Sequence, residues 1–222
     1  MDSIQILPSL LAADFGALGE ACTRVRNSGA DALHLDIMDG HFVPNISFGP
    51  AVVDLARRTY GSALHVHLMV TRPDLHLRAF AEAGAQTLLI HAEASCDVAG
   101  GLRDIRSLGM NAGLTLNPES PAALAKPYLD AGLLDEVLCM SVHPGFGGQS
   151  FMDCVLPKLA ELRAWAPDLN LSVDGGIDGT TGPACAAHGA NRFIAGTFLF
   201  KADDMASEVR CLRRALASKG EG

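Results

Sequence analysis

The stretch His34-Leu35-Asp36-Ile37-Met38-Asp39-Gly40 places a histidine and an aspartate two residues apart inside an apolar run. Side chains alternate between the two faces of a strand, so a strand here points His34, Asp36 and Met38 the same way. Two side-chain types that ligate metals and exchange protons then share one face. The stretch predicts a buried strand whose inner face ends in a chemical site.

Two further segments repeat this pattern. His65-Val66-His67-Leu68-Met69 carries two histidines at alternating positions, and Val173-Asp174-Gly175-Gly176 ends an apolar run with an aspartate. Buried carboxylates are costly unless they are paired or bound to a cation. Two imidazoles and two carboxylates suit one divalent ion, Zn²⁺, Fe²⁺, Mn²⁺ or Co²⁺, although four separately hydrogen-bonded core groups are the alternative. The predicted metal ligands are His34, Asp36, His67 and Asp174. We expect His65 to lie one layer deeper than His67.

Strand-like and helix-like segments alternate along all 222 residues. The predicted strands are 4–9, 32–37, 63–69, 87–91, 112–116, 136–142, 169–174 and 192–195. The predicted helices are 14–29, 50–60, 74–83, 98–108, 120–131, 152–165, 180–188 and 203–218. Eight such units in a single domain, residues 1–222, predict an α/β fold, a (β/α)8 TIM barrel. An open doubly wound sheet is the alternative, but the first strand lacks the glycine fingerprint of such sheets.

The composition limits the partners. The net charge is −8 and the pI is near 5.4. Nucleic acids and anionic membranes bind basic patches, so we expect neither as a partner. A small anionic substrate remains compatible because backbone amides or a metal can hold it. The N-terminus lacks a signal-peptide pattern, no CxxC pair occurs, and no apolar run approaches the roughly 18 residues of a membrane span. We therefore expect a cytoplasmic protein.

A glycine-rich segment, residues 142–151, follows a predicted strand and precedes a predicted helix. Glycines free backbone amides to surround an anion. Gly175-Gly176 and Gly196-Thr197 follow the seventh and eighth strands, where TIM barrels commonly bind phosphate. None of these loops contains Arg or Lys, so backbone amides would provide most of the binding. The predicted substrate-binding residues are Ser9, His67, Gly145, Phe146, Gly147, Gly148, Gly175, Gly176, Gly196 and Thr197.

Three methionines, Met38, Met69 and Met140, end predicted strands on the inner face. Core filling is the simplest role for such residues, since methionine adapts to irregular gaps. Beside a metal and two carboxylates, a second role is available. We expect the three side chains to form a polarizable apolar cap over a delocalised anion.

Distinctive motifs are spread along nearly the whole chain. They are Pro8-Ser9-Leu10-Leu11-Ala12-Ala13-Asp14-Phe15, His34-Leu35-Asp36-Ile37-Met38-Asp39-Gly40, Phe42-Val43-Pro44-Asn45, His67-Leu68-Met69, Pro144-Gly145-Phe146-Gly147-Gly148-Gln149, Val173-Asp174-Gly175-Gly176 and Ala195-Gly196-Thr197. In these blocks the chain resembles the ribulose-phosphate 3-epimerase family. The resemblance implies a TIM barrel with one divalent metal on the four predicted ligands. It also implies that Asp36 and Asp174 are the catalytic acid/base pair, that Ser9 touches substrate and that the glycine loops hold its phosphate.

The implied reaction interconverts D-ribulose 5-phosphate and D-xylulose 5-phosphate. Epimerisation beside a carbonyl removes a proton from one face of C3 and returns it to the other, which two carboxylates on opposite sides can do. The intermediate is an enediolate, whose charge a metal stabilises as a Lewis acid. The resemblance further implies a homo-oligomer, a dimer or hexamer, acting in the pentose phosphate pathway or the Calvin cycle. Thr197 stands where the family commonly has Ser, and His143 where Asn, Asp or Glu is frequent.

Three alternatives remain. An epimerase of a related ketose phosphate, such as allulose 6-phosphate, would carry the same motifs. Sugar-phosphate decarboxylases share this scaffold but carry an Asp-x-Lys-x-x-Asp run at a strand end, and Asp36-Ile37-Met38-Asp39 lacks the lysine. A non-catalytic phosphate- or metal-binding barrel would be expected to lack a carboxylate or a ligand, and none is missing. The sequence therefore favours an epimerase.

Overall fold

The computed structural model describes residues 4–61 and 63–217. Two sequence predictions extend beyond these ranges. The predicted single domain covers residues 1–222, and the predicted helix 203–218 ends at a residue outside the described part of the chain.

Eight parallel strands form one sheet. They are β1 (Gln5–Pro8), β2 (Leu33–Met38), β3 (Leu64–Met69), β4 (Thr87–His91), β5 (Asn111–Leu116), β6 (Glu136–Met140), β7 (Asn170–Asp174) and β8 (Arg192–Ala195). The hydrogen-bonded order is β1-β8-β7-β6-β5-β4-β3-β2. A parallel bridge between Ser9 and His34 brings the two ends of this order together, and Asp31 N donates to Ile6 O at 3.0 Å. The nearly closed barrel confirms the predicted TIM-barrel class.

Helices separate the strands, as predicted. They are α1 (Leu18–Asn27), α2 (Pro50–Thr59), α3 (Leu77–Ala83), α4 (Val98–Ser107), α5 (Lys126–Asp130), α6 (Val155–Trp165), α7 (Thr181–Ala187), α8 (Thr197–Phe200) and α9 (Met205–Ala217). Short 3₁₀ turns occupy Leu10–Ala12, Phe15–Ala17, Pro73–Leu75 and Ala122–Ala125. Four-residue α8 was not predicted, because so short a helix has no readable periodicity.

Several predicted helices begin later in the structure than the sequence pattern indicated, and two of them show a local cause. The segment 120–131 starts with a 3₁₀ turn, and the α-helix forms only around Pro127, which lacks an amide hydrogen and is tolerated at a helix start. The segment 14–29 opens with Asp14, whose Oδ1 accepts a bond from Gly16 N at 2.9 Å. That bond caps a 3₁₀ turn, so α1 begins at Leu18.

The strands separate the core from the site. All six residues of β2 are buried. Leu33, Leu35 and Ile37 belong to the large apolar cluster between the sheet and the helices. The alternating side chains of β2 point into the barrel, and Asp36 and Met38 reach the cavity at its carboxyl end. The polar inner residues therefore meet where TIM barrels place their active sites.

Within residues 4–61 and 63–217, no helix is both long and apolar enough to cross a membrane.

Candidate active site

A cavity of about 530 Å³ opens at the carboxyl ends of the strands. Most of the predicted site residues line it: Ser9, Asp36, Met38, Met69, Met140, Gly145, Phe146, Gly147, Gly148, Asp174, Gly175, Gly176, Gly196 and Thr197. His34 and His67 do not line the cavity, because both are fully buried beside Asp36. The structure thus brings the predicted residues together but places the two histidines beneath the cavity surface.

The four predicted metal ligands form one cluster. His34, Asp36, His67 and Asp174 each offer a ligand atom, and these atoms all lie within 4.8 Å of one another. His34 Nε2 and His67 Nδ1 each lie 3.1 Å from Asp36 Oδ1, and His34 Nε2 lies 3.9 Å from Asp174 Oδ2. Two imidazole nitrogens and two carboxylates at this spacing fit a single divalent cation. The cluster could therefore hold a metal ion.

The two carboxyl groups have opposite electrostatic surroundings. Burial alone would raise the pKa of Asp36, but the neighbouring His34 and His67 rings lower it below its ordinary value. Burial raises the pKa of Asp174 well above its ordinary value, and the nearby charge of Asp36 raises it further. Carboxyl groups whose environments separate their pKa values are a common arrangement for acid/base chemistry.

Hydrogen bonds hold the carboxylate of Asp36 and the backbone of Asp174. Ser9 Oγ donates to Asp36 Oδ2 at 2.7 Å, so the hydroxyl at the end of β1 holds the carboxylate of β2. The main-chain oxygen of Asp174 accepts bonds from Ser141 N at 2.8 Å and from Ser141 Oγ at 2.9 Å. Ser9 therefore orients Asp36 and also lines the cavity, where it was predicted to bind substrate.

The glycine loops converge on one side of the cavity. Gly176 has φ +62°, and an added Cβ would lie 2.8 Å from Phe151 N, so this position requires glycine. A Cβ on Gly148 would lie 3.7 Å from Thr197 Oγ1, which shows how near the β6 loop comes to the start of α8. Asn45 Nδ2 donates to Gly145 O at 2.8 Å and ties the loop after β2 to this group. The glycines of these loops lie together along the wall of the cavity.

The three predicted methionines line the same cavity as the two carboxyl groups. Met38, Met69 and Met140 are between 1% and 3% exposed and line the cavity. Met38 and Met69 share a small apolar cluster with Val43. The part of the cavity wall formed by these methionines is therefore apolar.

Sequence reasoning did not assign a role to three groups near the cluster, His91, Glu93 and Glu136. His91 Nε2 lies 2.8 Å from His67 Nε2, and His91 Nδ1 lies 3.2 Å from Glu93 Oε2. Glu136 Oε1 lies 2.8 Å from His65 Nε2. The sequence could have identified His91, because it ends β4 as Met69 ends β3. It could also have identified Glu136, because a charged residue at the start of an apolar strand is unusual. Nothing in the sequence marked Glu93.

Both glutamates are held in the ionised form. Burial alone would raise the pKa of Glu136, but His65 and Arg192 lower it to about 2. Burial would also raise the pKa of Glu93, but bonds from His91, Ser120 Oγ and Asn117 N lower it to about 2. These two carboxylates are negative at neutral pH.

The sequence profile of the ribulose-phosphate 3 epimerase family matches residues 5–200. A ribulose-phosphate 3-epimerase of Bacillus subtilis (strain 168) is 42% identical over 215 residues, which are 95% of this chain and 98% of the relative. The chain belongs to this family. An enzyme of the same name from Eremothecium gossypii is 38% identical over 222 residues, covering 94% of this chain and 91% of the relative. The predicted family and epimerase class, an isomerase activity, are confirmed.

Solved structures with little sequence similarity share the fold. The 3-keto-L-gulonate-6-phosphate decarboxylase of Vibrio cholerae superposes with a TM-score of 0.75 at 18% identity, covering 98% of this chain and 99% of that one. The 3-hexulose-6-phosphate synthase of Salmonella typhimurium gives 0.73 at 16% identity, with 97% and 99% covered. These likenesses support the barrel alone. Met38, which stands where an Asp-x-Lys-x-x-Asp run beginning at Asp36 would have its lysine, is 3% exposed at the cavity wall.

Proposed function

We propose that this epimerase interconverts D-ribulose 5-phosphate and D-xylulose 5-phosphate by moving a proton at C3, as a single barrel domain of residues 1–222. One observation carries the proposal: Asp36 and Asp174 reach the same cavity from β2 and β7, with His34 Nε2 between them at 3.1 and 3.9 Å. Two carboxyl groups on either side of one carbon can serve both of its faces. Relatives named ribulose-phosphate 3-epimerase support the choice of substrate.

In the proposed mechanism, one carboxylate takes the C3 proton and the other carboxyl group supplies a proton to the opposite face. This division requires one group to be ionised while its partner is protonated. The groups exchange roles for the reverse reaction. The Ser9 hydroxyl donates a hydrogen bond to Asp36 Oδ2. This bond would keep the carboxylate in a fixed orientation while a proton is transferred to or from it.

A divalent cation on the cluster would acidify the C–H and stabilise the enediolate charge as a Lewis acid. We propose His34, Asp36, His67 and Asp174 as its ligands and Zn²⁺, Fe²⁺, Mn²⁺ or Co²⁺ as the ion, on the chemistry of the donor set. His34 and His67 would bind the ion. His67 was also predicted to bind substrate, and because it is fully buried it would do so through the ion.

We propose that the substrate phosphate binds on the glycine loops, against Gly145–Gly148, Gly175-Gly176 and Gly196-Thr197. Their backbone amides and the hydroxyl of Thr197 supply hydrogen-bond donors without a basic side chain. Phe146 is 55% exposed at the mouth of the cavity, where it can cover a bound sugar. Met38, Met69 and Met140 would cap the delocalised anion on its apolar side.

The oligomeric state and location are also part of the proposal. We propose a cytoplasmic homo-oligomer, a dimer or hexamer, on the strength of the family resemblance. Light scattering coupled to gel filtration checks this directly: a mass of two or six chains is expected, and the mass of one chain of 23.2 kDa would contradict it.

The test is a coupled assay of xylulose 5-phosphate formation from ribulose 5-phosphate. The enzyme is assayed as purified, after chelation, and after each of the four divalent ions is added back. Fast turnover that chelation removes and a metal restores is the expected result. Allulose 6-phosphate is assayed in parallel, since the same motifs suit it. Faster turnover of the hexose would overturn the assigned substrate, and full activity after exhaustive chelation would overturn the metal requirement.

A further inference from the structure

A chain of buried hydrogen bonds leads from His34 into the barrel interior. His34 Nδ1 lies 2.7 Å from His65 Nδ1, and His65 Nε2 lies 2.8 Å from Glu136 Oε1. The other oxygen of Glu136 contacts Arg192 Nη1. The two rings and the carboxylate are at most 2% exposed. The chain crosses the barrel from β2 through β3 to β6.

The direction of these bonds follows from the chemistry of the end group. Glu136 is paired with Arg192, so it accepts bonds and has no proton to donate. His65 Nε2 must then be the donor, and a neutral His65 has only a lone pair on Nδ1. That lone pair accepts the Nδ1–H of His34. If His65 carried a second proton, its positive charge would be buried without a carboxylate of its own, because Arg192 already pairs with Glu136.

A second chain leads from His67 around the rim. His67 Nε2 lies 2.8 Å from His91 Nε2, and His91 Nδ1 lies 3.2 Å from Glu93 Oε2. Glu93 Oε1 accepts from Asn117 N at 3.1 Å and from Ser120 Oγ. Glu93 is thus an acceptor throughout, so His91 donates from Nδ1 and accepts from His67 on Nε2.

The two chains leave different ring nitrogens with a lone pair, Nε2 on His34 and Nδ1 on His67. These are the nitrogens that face Asp36 Oδ1 at 3.1 Å within the proposed metal cluster. Had either chain run the other way, its ligand histidine would present an N–H group to the cation. The two hydrogen-bond chains therefore independently leave a lone pair directed at the same proposed cation site.

We infer that His65–Glu136 and His91–Glu93 are two positioning pairs, which fix the tautomers of His34 and His67 so that each presents a lone pair to a divalent cation. The inference rests on the cation site of the proposed function. It deepens that proposal by assigning roles to four residues that touch neither substrate nor metal. Partners of this kind orient metal-bound histidines and raise their basicity.

Nitrogen-15 NMR of the zinc-loaded full-length protein, labelled at histidine, tests the tautomers without substrate. We expect His65 as the Nε2–H form and His91 as the Nδ1–H form. The signals are assigned by their loss in His65→Gln and His91→Gln, and the half-buried His188, remote from the cluster, serves as the reference. The opposite tautomer or a doubly protonated ring at either position would overturn the assignment of that pair.

Zinc affinity, measured by competition with a chromogenic chelator, tests the energetic consequence. Glu93→Gln should bind Zn²⁺ about 10–100-fold more weakly, the range found for groups that support metal ligands. Glu82→Gln, on the exposed face of α3, is the matched control and should bind like wild type. Because Glu136→Gln would strand the charge of Arg192, this pair is tested as Glu136→Gln combined with Arg192→Gln, with the same expectation.

The outcomes separate the two proposals. Weak zinc binding by wild type would contradict the cation site itself. Tight binding by wild type with unchanged affinity in Glu93→Gln would contradict the positioning pairs and leave the cation site standing. A larger loss in Glu93→Gln than in Glu82→Gln, together with the expected tautomers, would support both.

Discussion

The outward and inward faces of β2 are equally buried but chemically different. Its three outward side chains are aliphatic and pack against the surrounding helices. Its inward side chains, His34, Asp36 and Met38, form part of the candidate active site. Packing of the outward face against the helices requires only apolar side chains of suitable volume and shape. Each buried polar group on the inward face requires a particular hydrogen-bond or metal partner. Stability and chemistry are thus divided between the two sides of one strand.

The largest expected effect is on the inward face. Asp174→Asn removes one of the two groups that exchange protons, and we expect kcat to fall by about 10²–10⁴-fold. The free energy of unfolding should change little, because Asp174 lies at the open end of the barrel, outside the helix–sheet core. Steady-state assays and denaturant titrations measure the two quantities.

Asp203→Asn, at an exposed position, is the control for this change and should match wild type in both measurements. Near-normal kcat in Asp174→Asn would break the two-carboxylate scheme. A large loss of stability in that variant would instead break the division between the two faces.

The outward face should show the reverse behaviour. Leu35 is fully buried against the helices, so Leu35→Ala should lower the free energy of unfolding by about 2–5 kcal/mol. The folded fraction should retain its kcat, since the side chain does not face the cavity. Leu75→Ala, at a position that is 68% exposed, should stay within about 0.5 kcal/mol of wild type. If Leu35→Ala lost as much kcat as is expected for Asp174→Asn, the division between the two faces of β2 would be contradicted.

The glycine loops sharpen the comparison, because there the backbone replaces the side chain as the functional group. Gly176→Ala adds a Cβ 2.8 Å from Phe151 N at φ +62°. Strain of about 1–3 kcal/mol should displace the phosphate-binding amides and raise KM by about tenfold or more, with a smaller change in kcat. Gly179→Ala has nothing within 4 Å of the added Cβ and should leave KM unchanged. Equal KM values for the two variants would remove Gly176 from the phosphate site.

The smallest effect concerns Asp39, just beyond the end of β2. Burial would raise its pKa, but bonds from Thr71 N, Phe42 N and His41 N lower it to about 2. A carboxyl whose pKa falls on folding stabilises the protein above its ordinary value of 3.8, and this contribution is lost as the pH falls toward 2. Wild type should therefore lose stability between about pH 4 and pH 2.

Asp39→Asn keeps one acceptor oxygen but cannot accept the bond from Thr71 N. This variant should be less stable than wild type at pH 7, and the difference should shrink as the pH falls toward 2. Denaturant titrations across this range provide the measurement. A stability difference that stays constant with pH would show that the carboxylate charge does not contribute.

The strands and the His/Asp cluster were predictable because each depends on local alternation. The inward polar residues of β2, β3 and β7 interrupt apolar runs at one spacing, so their shared face could be read directly. The ends of the helices were less predictable, since the first turns near Asp14 and Pro127 form 3₁₀ structure through single local contacts.

The hydrogen-bond chains behind the cluster were not predictable from the sequence. Their partners lie far apart along the chain: His65 and Glu136 are 71 residues apart, and His67 and His91 are 24 apart. Only the register of neighbouring strands and the closure of the barrel bring them into contact. Sequence patterns therefore identified the residues of the inward face but not the partners that orient them.

The most direct test of the two-carboxylate account is the reaction of wild type with ribulose 5-phosphate in D₂O, stopped at low conversion. Two groups acting on opposite faces should place deuterium at C3 of xylulose 5-phosphate and leave the recovered ribulose 5-phosphate almost unlabelled. One group that both removes and returns the proton would carry the original protium into xylulose 5-phosphate or, where that proton exchanges with solvent, would label both sugars at similar rates. Equal early labelling of substrate and product would contradict the account.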